Sequence, residues 1–352
     1  MSSTSSTTVI AALEAAVQRD EGGRGLVDLV LPAGELEAAA RALYLAPPGP
    51  VAILTGFPCM LDHTPPTETD GPPGALAIAR ACLGLNKSCV LLVEECNAAV
   101  LQAGVAALEG MPVTSAILRV EVFPPGPKWG PSEEACLSAL AQEATFVVAI
   151  ERAGPAASDG HYYTMRGRQM DEVLAPLERL LELVPASVQS IGIGDGGNEV
   201  GMGKVFERIL ASTRIGKAEQ IACRTSTTWL LAASVSNWGG FALCCALAVV
   251  AAEKEAAGAD GRVDEAKNGS EDMRNPDEPE EGGREGRGKK RREGWIERLV
   301  VTEAQDRKVL EAIFAAGARD GITGERKAWV DGMPGEVSLA MLQELREIAM
   351  SK

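Results

Sequence analysis

A chain of 352 residues has room for one large or two ordinary domains and for a substantial core. Hydrophobic residues make up 46% of it but aromatics only 4%, so the core must be built from Ala, Val, Leu and Ile, which suits helices packed on a parallel sheet. The formal net charge of -15 argues against nonspecific binding to nucleic acid or an anionic membrane, which needs clustered Lys and Arg. It still admits a small anionic metabolite wherever a metal or backbone N–H groups invert the local field.

Residues 1–8 are a Ser/Thr run without the apolar stretch of a secretory signal, and are expected to be disordered. They are poor in Arg for a transit peptide, although Arg19 and Arg24 keep that reading open. Short β-rich runs then alternate with Ala/Leu-rich helical patterns. Strands are predicted at 51–55, 88–93, 116–120, 146–150 and 190–193, and helices at 74–83, 98–108 and 131–143. This order predicts an α/β fold: a mostly parallel, twisted sheet with helices on both faces and ligands beyond the carboxyl ends of the strands. The longest apolar stretch, 229–252, is interrupted by Ser234, Ser236, Asn237, Gly239 and Gly240. It therefore reads as a loop followed by a buried Ala-rich helix and not as a membrane span.

Residues 253–294 are charged and carry almost nothing to bury, which predicts a disordered insertion. The basic run Lys289 to Arg292 reads either as the solvated end of that insertion or as a localisation or nucleic-acid patch. Globular patterning resumes at 295–352, a tail too short for its own core, so 9–252 and 295–352 are expected to form one domain. The eight cysteines contain no C-x-x-C pair and are expected to be reduced thiols of an intracellular protein. Cys82, Cys89 and Cys96 are not expected to share a helical face.

Four constellations follow strand ends. The first runs through Gly56 and Phe57 to His63 and on to Glu68-Thr69-Asp70-Gly71-Pro72-Pro73-Gly74. Its acids suit oxygen ligands or a general base, and equally suit capping of the next helix. The second, Gly192 to Lys204, formally matches G-x-G-x-x-G. Asp195 would repel a pyrophosphate, and Asn198 and Val205 break the Walker A pattern, leaving a tight acidic loop suited to metal or ammonium. The third is Glu151-Arg152, a candidate acid/base beside a candidate carboxylate clamp, or else a pair of surface ions. The fourth, Ser236-Asn237-Trp238-Gly239-Gly240, opens the Ala-rich helix, where N–H groups can hold an anion or simply start the helix around a buried Trp. Two histidines are too few for a histidine-centred hydrolase, and no G-x-S-x-G elbow occurs.

Taken together, these motifs resemble the D-glutamate cyclase family. The resemblance covers Gly56 to Gly74, Ala149 to Gly154 with Tyr162 and Tyr163, Gly194 to Lys204, Ser236 to Gly240, Gly321 to Gly324 and Val330-Asp331-Gly332, in the family's order. It implies dehydration of D-glutamate to 5-oxo-D-proline, and a mitochondrial matrix or cytoplasmic protein that is neither secreted nor membrane-bound. Animal relatives carry this unit as the C-terminal part of a larger mitochondrial protein, whereas here it is expected to stand alone.

On that reading a divalent cation, Mg²⁺ or Mn²⁺, is expected on Glu68, Asp70, Asp195 and Glu199, with no nucleotide cofactor. Asp70, Glu151, Asp195 and Glu199 are the candidate catalytic carboxylates. Arg152, Lys204 and the N–H groups near Asn237 would hold the substrate's α-carboxylate and developing oxyanion. Gly56, Phe57, Thr69, Asn198, Trp238 and Gly239 complete the candidate substrate-binding set. The expected partner is a small molecule, with neither nucleic acid nor membrane involved. A metal-dependent hydrolase of a phosphate ester or amide uses the same acids, a non-catalytic amino-acid or metal binder is a second alternative, and an NAD enzyme a third.

Overall fold

In the computed structural model, residues 5–20, 23, 25–108, 117–267 and 284–351 are described. In chain order they form α1 (Ser6–Val17), α2 (Glu35–Leu45), β1 (Val51–Leu54), α3 (Pro72–Gly84), β2 (Cys89–Glu94), α4 (Glu95–Ala107) and β3 (Leu118–Phe123). There follow α5 (Pro131–Glu143), β4 (Phe146–Ile150), α6 (Leu180–Leu183), β5 (Gln189–Gly194), α7 (Phe206–Ala211), α8 (Ala218–Ile221) and β6 (Trp229–Ala232). The chain closes with α9 (Ser236–Lys267), α10 (Arg284–Leu299), α11 (Glu303–Ala315), β7 (Trp329–Val330), β8 (Met333–Pro334) and α12 (Gly335–Met350).

Among the described residues β1 to β6 form one six-stranded sheet in the order β3-β2-β1-β4-β5-β6, with every neighbouring pair parallel. Alternation along each strand feeds two cores. Val51, Ile53, Leu91, Val148, Ile150 and Ile193 pack against α1, α2, α3 and α9. Ala52, Leu54, Val90, Leu92, Val147 and Ala149 point the other way, toward Leu137, Leu140 and Ala141 of α5 and Leu180 of α6. Both faces of the sheet are thus covered, as parallel strands require, and the predicted α/β architecture stands.

Two boundaries differ from the expectations. Residues 5–8 are ordered: Ser5 caps α1 by accepting the Thr8 N–H at 3.2 Å, and Thr7 reaches Glu37 at 2.9 Å. The charged stretch is helical at both ends, since α9 runs to Lys267 and α10 begins at Arg284, while 268–283 lie outside the described residues. Its apolar content is too low to nucleate a helix, but residues 253–258 only prolong one already anchored by 236–252, and propagation is far cheaper than nucleation. Glu253 then pairs with Arg41 at 2.9 Å, and Glu255 accepts from the Trp295 indole at 2.6 Å. The basic run lies on α10, where Lys289 meets Glu293 and Arg291 meets Glu255, each at 3.7 Å.

Residues 229–252 divide into strand β6, a short turn and the buried start of α9, so the predicted loop contains one unforeseen strand. No helix among the described residues is long and apolar enough to cross a membrane. Cys82, Cys89 and Cys96 lie on α3, β2 and α4, and all eight cysteines are free thiols.

The strand order places the site. From β1 the chain winds outward through β2 to β3, then returns to add β4 on the other side of β1. The loops leaving the carboxyl ends of β1 and β4 therefore diverge and open a crevice at this reversal, where open α/β sheets bind ligands.

Candidate active site

The β1–α3 loop, the end of β4, the β5 loop and the turn from β6 into α9 all reach that crevice. Asp70, Glu151 and Asp195 each offer one carboxylate oxygen there, all within 4.8 Å of one another, and all three residues are buried. Asp70 is held at the start of α9, accepting the Ser236 and Asn237 N–H groups at 2.8 Å each, and the Gly71 N–H at 3.0 Å. The anion at this helix N-terminus is thus the protein's own carboxylate, placed where the helix dipole favours negative charge.

The Asn237 side chain completes the junction. Its Oδ1 accepts from Gly71 N at 3.0 Å and Gly74 N at 2.8 Å, which engages the N-terminal amides of α3, and its Nδ2 donates to Thr69 O at 3.2 Å. A Cβ on Gly74 would lie 2.9 Å from Asn237 Cα, so glycine lets the two helix starts touch.

Glu151, the residue after β4, has φ +41°, in the left-handed region that L side chains seldom adopt. Its Oε2 accepts from Ser236 Oγ at 2.6 Å. Gly71, with φ +96°, passes so close that a Cβ there would sit 2.8 Å from Glu151 Cβ. Asp195 is presented by a tight loop wrapped around Glu199, whose carboxylate accepts the amides of Asp195 at 3.3 Å, Gly196 at 2.7 Å and Gly197 at 2.7 Å. Glu199 also hydrogen-bonds the Asp195 side chain.

Burial, and then the neighbouring Asp195 charge, push the Asp70 carboxyl above its ordinary range, against the opposing pull of its three amide donors. Glu151 is pushed well above its ordinary range, first by burial and then by Asp195, Glu199, Asp70 and Glu68. Glu199 is raised by burial and by Asp195. The charges acting most strongly on Glu151 are all carboxylates, so the group calls for protons or a cation.

Glu151, Asp195, Glu68 and Phe57 line a cavity of about 240 Å³, small by the standards of drug-sized pockets. Asp70 backs the two wall carboxylates from behind. Asn198 lines the same cavity and donates to Tyr163 O at 2.7 Å, while its Oδ1 is buried without a hydrogen-bond partner, as is Thr55 Oγ1. Orphaned buried oxygens of this kind mark a place for a ligand. A more open depression of about 400 Å³, lined by Asp28, Arg208 and Arg214, shares no residue with this group.

Residues 13–346 match the family model described as D-glutamate cyclase-like, C-terminal. The chain belongs to the D-glutamate cyclase-like family. The human protein named D-glutamate cyclase, mitochondrial, is 35% identical over 255 residues, which is 71% of this chain and 40% of the human one.

Within this family frame, the motifs separate into those that reach the cavity and those that build its support. Glu68, Glu151, Asp195, Phe57 and Asn198 line the cavity and Asp70 joins Glu151 and Asp195 in the three-carboxylate group, whereas Glu199 folds the Asp195 loop and is not part of that group. Arg152 corrects the expected clamp. It is fully buried, ion-paired with Glu94, and donates to Ala175 O at 2.5 Å, because successive residues at a strand end diverge to opposite sides.

Lys204 is likewise elsewhere, on Glu35 at 2.5 Å and Thr228 O at 2.8 Å, carried away by the turn that follows the acidic loop. The α9 amides expected to hold substrate are taken by Asp70. Trp238 is buried and donates to Ser338 at 3.0 Å, tying α9 to α12. Gly239 packs on Ile193, Gly56 on Asn97, and Thr69 donates to Trp329 O at 2.5 Å, so these three shape the walls without lining the cavity.

Sequence reasoning missed Thr164, Arg166, Arg168 and Cys59, all of which line the cavity, and named Ser236 only for its helix start. The Cys59 thiol is pushed well up by burial and then by Glu68. Only the turn residue Gly167, flanked by two arginines, signalled the 164–168 segment. His63 and Asp331 do line the cavity, whereas His161 is on the surface beside Asp171 at 2.7 Å.

Proposed function

We propose that this chain closes D-glutamate into 5-oxo-D-proline with release of water. The observation that carries the reading is the buried group Asp70, Glu151 and Asp195, two of which line a small cavity, in a chain of this family. At neutral pH the substrate carries an α-ammonium and a γ-carboxylate. Forming the lactam nitrogen removes two protons from the ammonium, and the departing γ-oxygen takes up two on leaving as water. The reaction therefore balances internally, and the protein has to fold the side chain back and carry protons between two atoms of one molecule.

Glu151 suits the shuttle. Burial and the surrounding carboxylates raise its affinity for a proton, and Ser236 Oγ holds it in place. Asp195 and Asp70 keep negative potential around the reacting ammonium end, and Phe57 limits water on one wall.

We assign a divalent cation to Asp70, Glu151 and Asp195; with the ion bound Glu151 would serve as a ligand, and it would carry protons only where the ion is absent. The fit rests on three carboxylate oxygens within 4.8 Å of one another and on the orphaned Oδ1 of Asn198, a residue of the same cavity, a hard-oxygen set suited to Mg²⁺ or Mn²⁺. Such an ion would make the γ-carboxylate electrophilic. We also assign a mitochondrial compartment, supported by the human relative's name. The test is chiral product analysis after incubating purified protein with D- and L-glutamate, with and without Mg²⁺ or Mn²⁺. 5-Oxo-D-proline from the D-isomer is expected, and absence of any lactam from either isomer would overturn the reading. Full turnover after exhaustive chelation would remove the cation alone.

A further inference from the structure

We propose that Arg166 is the residue that recognises the substrate's α-carboxylate, at the mouth of the acidic cavity; this rests on the cyclisation reading above. Glu68, Glu151 and Asp195 on the cavity wall attract an ammonium and repel carboxylates, and a cation on the acidic group would answer the γ-carboxylate alone, so the α-carboxylate needs its own cationic counterpart on the same cavity. The nitrogen and the γ-carbon have to meet at the acidic end, because they become bonded. The α-carboxylate is the one charged group left over, and it projects away from the new ring.

Two guanidinium groups line the cavity, and only one has a fork to offer. Arg168 is held bidentately by Asp62, at 2.6 and 2.9 Å. Arg166 donates Nη2 to Ile322 O at 2.6 Å and has no carboxylate partner among the described residues. Its remaining donors form a planar edge suited to a carboxylate. The backbone that carries it is fixed in advance: Gly167 N bonds Thr164 O at 2.8 Å, Thr164 N bonds Arg168 O at 2.9 Å, and Arg168 N bonds Thr164 Oγ1 at 3.2 Å. From outside, Lys217 Nζ donates to Arg166 O at 2.7 Å and Gln220 Nε2 to Gly167 O at 3.2 Å. A guanidinium pre-positioned in this way loses little freedom on binding. The bond to Ile322 also joins the 164–168 turn to the 321–324 loop on the same cavity, so a carboxylate docked on Arg166 sits between the two.

The test uses the full chain and two ligands, D-glutamate and its α-amide, which keeps the amine and γ-carboxylate but lacks the α-charge. Binding is read by calorimetry and turnover by steady-state kinetics. Arg166→Gln is expected to weaken D-glutamate, in Kd and KM, about 10- to 100-fold with kcat little changed, because a uniform binding contact is lost. It should leave the already weak α-amide where it was. Arg166→Lys should recover part of the loss, having the charge without the fork.

Unchanged Kd and KM in Arg166→Gln overturn the assignment. So does a wild type that binds the α-amide as tightly as D-glutamate, or a larger loss in Arg168→Gln than in Arg166→Gln. Binding of D-glutamate without lactam product removes the cyclase reading and leaves Arg166 to be judged on Kd. Product formation with unshifted KM in Arg166→Gln removes Arg166 alone, and a wild type that neither binds nor turns over D-glutamate removes both.

Discussion

Beneath the end of β4, Glu94 and Arg152 are fully buried and neutralise each other, while one residue earlier Glu151 enters a group of carboxylates. Both regions take charge out of water at the same strand end, yet only the first supplies its own counter-charge. Around this pair Glu94 also accepts from Asn97 at 2.8 Å and from Ala175 N at 3.3 Å, and Tyr162 donates to Glu178 at 2.6 Å, although Arg152 Nε and Glu178 Oε2 are buried without a hydrogen-bond partner. Around Glu151 the neighbours push the carboxyl toward its protonated form. Buried charge compensated within the chain supports structure, and buried charge left uncompensated is held ready for a ligand. Arg152 also fixes the backbone directly after the strained Glu151 turn, so the first region positions the second.

Asp195→Asn should produce the largest effect and put the comparison at most risk. Lactam formation from D-glutamate should fall by on the order of 10² to 10⁴, while the melting temperature stays at or above that of the wild type, since one member of a crowded group of buried carboxylates is removed. A clear fall in melting temperature with activity retained would make the triad structural.

Glu94→Gln tests the other half. The Arg152 guanidinium would be left buried without its counter-ion, at a cost of about 3–5 kcal/mol in urea denaturation, and turnover should fall with it through the shifted Glu151 turn. Unaltered stability would mean that this pair contributes nothing to the fold.

A third buried acid, Asp306 on α11, sharpens the contrast because it belongs to neither region. Burial raises its carboxyl to about 7, with Arg307 opposing. The unfolded chain releases this proton near pH 4 and the folded one near 7, so unfolding releases a proton between those values. Stability from this group is therefore greatest at low pH and declines as pH rises through that window, by up to about 1.4 kcal/mol per unit. Asp306→Asn should flatten the decline in melting curves recorded from pH 4 to 7, and an unchanged slope would assign the dependence to other groups.

The legibility of the chain was uneven for identifiable reasons. The helix at 131–143 and the strand at 146–150 matched to the residue, because Gly130-Pro131 starts one and a run of Phe, Val and Ile defines the other. Strand β6 was hidden because Trp229–Ala232 leads, within a few residues, into the apolar start of α9, and a short apolar run looks alike in strand and buried helix. Asp70, Glu151 and Asp195 were readable as acids at strand ends. Arg166 was not, since residues 155–176 carry no helical or strand period to place it.

Residue types and their periods determined the parallel α/β layers, the acidic character of the strand ends and membership of a recognisable family, because each depends on local preference and on which side chains can be buried. Tertiary structure alone decided that Arg152 turns inward to Glu94, that Lys204 turns away to Glu35, that Asp70 fills the α9 N-terminus, and that Arg166 borders the cavity. The direction of a side chain at a loop or strand end depends on what the rest of the chain packs against it, and that is set by the order in which the strands assemble.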